Sequence, residues 1–136
     1  MTRPTEPRHW HEIPQAPVTG TVLGELETLV DGHASMHALN DTATPSDKPF
    51  RYLLLRSGSA VRAYVNRCAH FGVPLAARQD LLIFKPHVSV SCNVHYARYR
   101  WLDGVCDSGD CAGEALLPIP LDVDAQGTIR VGTGAP

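Results

Sequence analysis

Two short segments carry residue types that can do chemistry together: Cys68-Ala69-His70 and, after 21 intervening residues, Cys92-Asn93-Val94-His95. They supply two thiolates and two imidazoles, the donor set of a metal centre, and two kinds of centre accept it. A zinc ion would take all four in a tetrahedral, purely structural site. A two-iron, two-sulfide cluster would take the cysteines on one iron and the histidines on the other. Zinc fingers usually group cysteines with cysteines and histidines with histidines. Here each segment brings one of each, as two facing loops clamping a cluster would, and this order favours the iron-sulfur reading.

The remaining candidates are weaker. Cys106 and Cys111 flank Asp107-Ser108-Gly109-Asp110 and are open to a disulfide, a second metal pair or two idle thiols; the expected reducing compartment favours reduced structural thiols. His33 and His37 have the i, i+4 spacing of a helix face, but no cysteine or carboxylate joins them and Asp31-Gly32 suggests a turn, so they are expected to be surface histidines. His9 and His11 receive no role, and His87, beside Pro86, is expected at a surface hairpin. With both motif histidines used as ligands, no nucleophile with a positioned base is evident, and no mononuclear iron site is legible. The chain is expected to lack a substrate site of its own.

The elements that must position the four ligands read as short strands. Phe50 to Leu55 and Ala60 to Val65 are rich in Tyr, Leu and Val, and the Ser57-Gly58 turn makes them a hairpin leading into Cys68. Ile83-Phe84 and Val88 to Val90 form a second pair feeding Cys92, with Pro86 breaking the run. In Arg98-Tyr99-Arg100-Trp101 the alternation of a strand turns both aromatic side chains inward and both arginines outward. Leu116 to Val123 and Thr128 to Val131, joined at Gln126-Gly127, close the base of the fold. Upstream, Val18 to Leu39 suits short strands and a hairpin at Asp31-Gly32, with Leu23 to Val30 open to one or two helical turns. Asn40 to Pro49 has the composition of a loop.

At 136 residues the chain fits one domain, expected over residues 9–132, with residues 1–8 as a flexible extension rich in proline and charge. Charged residues make up 19% with a net charge of -2 and no basic run, which argues against nucleic acid as a partner. No stretch approaches the roughly 18 apolar residues of a membrane span, and the first residues do not resemble a signal peptide. The expectation is a cytoplasmic protein that does not engage a membrane.

The segments Cys68-Ala69-His70-Phe71-Gly72-Val73-Pro74-Leu75 and Cys92-Asn93-Val94-His95-Tyr96-Ala97-Arg98-Tyr99 resemble the two cluster-binding loops of Rieske ferredoxins, with a likeness in strand order from about Phe50 to Val131. The resemblance implies an all-β Rieske iron-sulfur fold, antiparallel sheets with an inserted cluster-binding subdomain. It implies one 2Fe-2S cluster per chain on Cys68, His70, Cys92 and His95. It also implies a single-electron carrier whose partners are a reductase and a terminal oxygenase or similar oxidoreductase. A small Rieske subunit of a larger reductase, similar to those of nitrite reductases, and a zinc-stabilised binding module are the rival readings.

Three departures accompany the likeness. The separation of the motifs is longer than the family usually shows, which lengthens the hairpin between them. Tyr96 stands where the family commonly has glycine, a residue free to adopt dihedrals that tyrosine resists. Val73 and Val94 occupy the places where respiratory members carry a disulfide-linked pair, and Ala97 lacks the hydroxyl of a serine that bonds the cluster in those members. Tyr99 retains one such bond and is the expected redox-tuning residue. Fewer donors to sulfur lower the potential, so a value in the lower half of the roughly -150 to +300 mV range of such centres is expected.

Overall fold

The structure, a computed structural model, describes residues 9–13, 15–39, 49–69, 73–93, 96–108 and 114–133. The elements, in order, are β1 (Val22–Glu25), β2 (Ala34–Leu39), β3 (Phe50–Ser57), β4 (Ala60–Val65), β5 (Ile83–Lys85), β6 (Ser89–Ser91), β7 (Arg98–Arg100), β8 (Cys106–Ser108), β9 (Pro118–Ile119), β10 (Leu121–Val123) and β11 (Thr128–Val131). Short 3-10 turns at Trp10–Glu12, Leu26–Thr28 and Gln79–Leu81 are the helical elements among the described residues. None is long and apolar enough to cross a membrane.

The strands form three antiparallel sheets, ordered β1-β11-β10, β2-β3-β4-β9 and β5-β6-β7-β8. The second sheet lies at the centre because β3 is buried on both faces. Leu53 and Leu55 join one core with Ala34, Tyr64, Tyr99, Trp101 and the cysteines Cys68 and Cys92. Phe50, Tyr52 and Leu54 join the other with Ala63, Val65, Ile119, Ile129 and Val131. A strand with two apolar neighbours reads as a continuous hydrophobic run, and Tyr52-Leu53-Leu54-Leu55 is such a run. The chain leaves the central sheet after β4, builds the β5–β8 sheet, and returns as β9, which pairs directly with β4. The inserted subdomain is therefore real: residues between two neighbouring strands of the base carry both cysteines.

The β3–β4 hairpin turns at Gly58, and the β5–β6 pair turns around Pro86 and His87, as expected. Two upstream and downstream expectations change. β1 does not hairpin with β2; it pairs with β11, so the Asp31-Gly32 turn links two sheets. The run from Leu116 to Val123 is two strands, since Pro120 has no N–H for a continuing ladder and the chain crosses there from the central sheet to the terminal one. Of the helical alternative for Leu23 to Val30, a single 3-10 turn at Leu26–Thr28 appears, following β1. Residues 1–8 and most of the Asn40 to Pro49 loop lie outside the described residues.

Gly104, after β7, has φ +75°, and a methyl group there would sit 2.7 Å from the Tyr64 ring. The Tyr64 hydroxyl donates to the Trp101 carbonyl at 2.7 Å, locking the ring in place, and burial pushes the phenol up to about 12. Gly104→Ala combines a left-handed backbone with a clash against an immobile ring, and an unfolding free energy lower by about 2–4 kcal/mol is expected in urea titration. A loss under about 0.5 kcal/mol would show the ring free to move.

Candidate metal centre

Cys68 follows β4 and Cys92 follows β6, and each opens a loop that its own amide closes in the same way. The Cys68 N–H donates to the Val73 carbonyl at 2.7 Å and the Cys92 N–H to the Ala97 carbonyl at 2.8 Å. In both, the closing carbonyl lies five residues downstream of the cysteine. The second loop is tightened further by the Tyr96 N–H donating to the Cys92 carbonyl at 2.8 Å. His70 and His95 fall in sequence between the ends of these two closed loops, but both lie outside the described residues. Among the described residues, accordingly, no group of three potential ligands assembles.

Neither cysteine is in a disulfide; both have 0% exposure and belong to the same core. Tyr99, on β7 beside β6, places its hydroxyl 3.2 Å from the Cys68 sulfur. The same oxygen accepts the Ala69 N–H at 3.0 Å, which leaves its proton available for the sulfur. Burial, followed by the bond to Cys68, pushes the Tyr99 phenol above its ordinary value, so the hydroxyl remains a donor. Two buried, unoxidised sulfurs in one core, one already provided with a hydrogen-bond donor, are suited to a sulfur-ligated metal group. Such a group, when bound, supplies a one-electron couple. The chain's part is to hold the sulfurs in an apolar surround, exclude water from them, and aim a hydroxyl at one.

The arginines around the site are engaged at the surface, as strand alternation requires. Arg98 bonds Asp107 at 2.8 Å across β7 and β8, and Arg100 pairs with Asp103. Tyr99 and Trp101 are buried between them at 0% and 3%.

Tyr96 is 68% exposed and has φ +61°. The tyrosine thus adopts the backbone that glycine would take more cheaply, and the loop keeps its closing bond. Tyr96→Gly is expected to raise stability by about 0.5–1 kcal/mol, the relief of strain less the greater chain entropy of glycine. Thermal unfolding measures it, and a lower midpoint would refute the strain.

Cys106 is disulfide-bonded, which overturns the expectation of a reduced thiol there. A compartment's redox poise does not decide whether a second sulfur lies within bonding reach; local geometry does. Cys111 lies outside the described residues.

His37 is neither on a helix nor fully at the surface. It lies on β2, its ring bonded to the Ser35 hydroxyl at 2.7 Å and stacked on Tyr52 at 5.3 Å. His33 is likewise half-buried, edge-on to Phe84. Burial lowers the His37 pKa from 6.5. The folded state therefore keeps this ring neutral where the unfolded chain protonates it, and its contribution to stability declines as pH falls below about 6.5. The urea midpoint of the parent should drop more between pH 7 and pH 5 than that of His37→Gln; equal drops would refute the linkage. His87 is exposed at the hairpin as expected, with φ +66°. Its ring bonds the Ser57 hydroxyl at 2.7 Å and tilts over Trp101.

One positioning residue had no sequence signal. Gln79, in the 3-10 turn after the first loop, accepts the Met36 N–H at 2.6 Å and donates to the Ala34 carbonyl at 3.0 Å, tying the insert to the edge of β2. A glutamine in a polar stretch advertises no such role.

Comparison with solved structures gives matches of the same architecture. The ferredoxin of carbazole 1,9a-dioxygenase from Nocardioides aromaticivorans IC177 aligns with a TM-score of 0.63 at 19% identity, over 86% of this chain and 100% of that one. The terminal oxygenase of carbazole 1,9a-dioxygenase from Novosphingobium sp. KA1 aligns with 0.64 at 21%, over 87% of this chain and 32% of that one. The reduced complex between oxygenase and ferredoxin of carbazole 1,9a-dioxygenase aligns with 0.64 at 21%, over 87% and 30%. The chain thus spans the whole of one ferredoxin and about a third of the longer chains. At these identities the likeness is one of fold. No curated protein matches in sequence. The family model of the Rieske [2Fe-2S] domain matches residues 11–121, covering both cysteine loops and the two four-stranded sheets, and the chain belongs to that family.

Proposed function

We propose that this chain is a single-electron carrier holding one Rieske-type 2Fe-2S cluster, with Cys68 and Cys92 on one iron and His70 and His95 on the other. Electrons pass from a reductase to a terminal oxygenase or similar oxidoreductase. The observation that carries the reading is the pair of fully buried cysteines after β4 and β6, in one core and in loops closed alike. Family membership supplies the cluster type, and the neighbour spanned end to end is a ferredoxin. That neighbour belongs to a carbazole dioxygenase system, which supports an oxygenase as the acceptor. The reductase and the cytoplasmic setting complete the proposal.

Protein purified without oxygen should be red-brown, carry iron and acid-labile sulfide, and pass electrons from a reductase to an oxygenase that cannot turn over without it. Colourless protein containing zinc and no sulfide would refute the reading and establish the structural module instead. Elution of native material only within a larger reductase would favour a bound subunit over a free carrier.

A further inference from the structure

Asn66 lies between β4 and Cys68 and is buried at 4% exposure. Its backbone N–H donates to the Arg51 carbonyl of β3 at 3.0 Å, which anchors it to the central sheet. Its side-chain Oδ1 accepts the Leu75 N–H at 2.8 Å. The Leu75 carbonyl in turn accepts the Asn93 N–H at 2.7 Å, and Asn93 directly follows Cys92. A continuous hydrogen-bonded route therefore runs from a point two residues before Cys68, through the returning limb of the first loop, to the residue after Cys92. The register of one cysteine loop against the other passes through this carboxamide.

The orientation of the amide is set by chemistry, because only its oxygen can accept the Leu75 N–H. Nδ2 is thereby turned into the interior, where it meets no hydrogen-bond partner among the described residues. An unmet amide donor in an apolar core is costly, and sites that receive a ligand are where such donors persist.

We propose that Asn66 is a positioning residue of the metal centre through both ends of its carboxamide: Oδ1 holds the two cysteine loops in register, and Nδ2–H donates to a sulfur that arrives with the cluster. The proposal rests on the iron-sulfur reading above. Removing the pin loosens ligand geometry, and outer-shell partners of this kind change metal retention by about tenfold or more. Removing the donor leaves the added electron less stabilised and lowers the potential.

The cluster-loaded protein tests both ends. Asn66→Asp keeps the oxygen for Leu75 and replaces the donor by an acceptor. It should retain iron and sulfide as the parent does while its potential falls further than that of Asn93→Asp, which places the same charge beside the second loop. Asn66→Ala removes both ends and should lose iron to a chelator about tenfold faster than the parent. An Asn66→Asp potential no lower than that of Asn93→Asp overturns the donor, and an Asn66→Ala chelation rate equal to the parent's overturns the pin. Should Asn66→Ala not fold, the Asn66→Asp comparison still decides. A parent protein without iron and sulfide refutes the carrier reading itself, a result distinct from either.

Discussion

Cys92→Ser should yield a colourless protein with no acid-labile sulfide. The expected loss follows because a serine hydroxyl, far less acidic than a thiol, is a poor substitute for a thiolate on iron, and because the side chain sits at 0% exposure, where no water or outside ligand substitutes for it. Metal binding and local folding are coupled, so the insert between β4 and β9 should become protease-sensitive while the two other sheets persist. Cys106→Ser is the control. Its sulfur is disulfide-bonded and is no ligand in this reading, so iron and sulfide should remain at parental levels. Iron retained in Cys92→Ser, or lost in Cys106→Ser, would show the ligand set to be wrong.

Tyr99→Phe should lower the reduction potential by about 40–60 mV without changing the iron content. The hydroxyl 3.2 Å from the Cys68 sulfur is a side-chain donor to a candidate ligand, and a hydrogen bond of this kind is worth about 1–1.5 kcal/mol. For one electron, a tenfold change in equilibrium, about 1.4 kcal/mol, is about 59 mV. The bond strengthens as the sulfur becomes more negative on reduction, so its loss disfavours the reduced state. The ring itself stays, because phenylalanine fills the same buried space beside Trp101 and Val90. The Ala69 N–H also loses its partner, and a stability loss of about 1 kcal/mol should accompany the shift. Potentiometric titration decides: a potential within about 10 mV of the parent would remove Tyr99 from redox tuning.

The parent potential bears on the same point. Ala97 is buried beside the second loop with no hydroxyl to offer, and Val73 is a solvent-exposed valine where a cysteine would staple the first loop. With Tyr99 as a donor, and Asn66 as another in the proposal above, the potential is expected in the lower half of the family's range.

Much of this molecule is local in origin and could be read along the chain. Phe50 to Val65 declares a hairpin because its apolar run and its glycine turn are contiguous, and Cys68 and Cys92 follow strands because strand ends are marked by residues next to them. The inward aromatics and outward arginines from Arg98 to Trp101 follow from a period of two. The four candidate ligands were proposed from type and spacing alone, since thiolate and imidazole are metal donors by side-chain identity.

What the tertiary structure decided depends on residues far apart in sequence. Val22–Glu25 pairs with Thr128–Val131 and not with its neighbour β2, because the choice rests on which sheet edge is open once the core has formed. Nothing local shows that Leu53 and Leu54 face different cores, that His37 is packed on Tyr52, or that Cys106 has a sulfur partner. Asn66 is an ordinary polar residue until Leu75 and Asn93 are brought to it. Side-chain identity sets what a site can bind, whereas burial and hydrogen-bond partners, which tune how it works, exist only after distant strands have met.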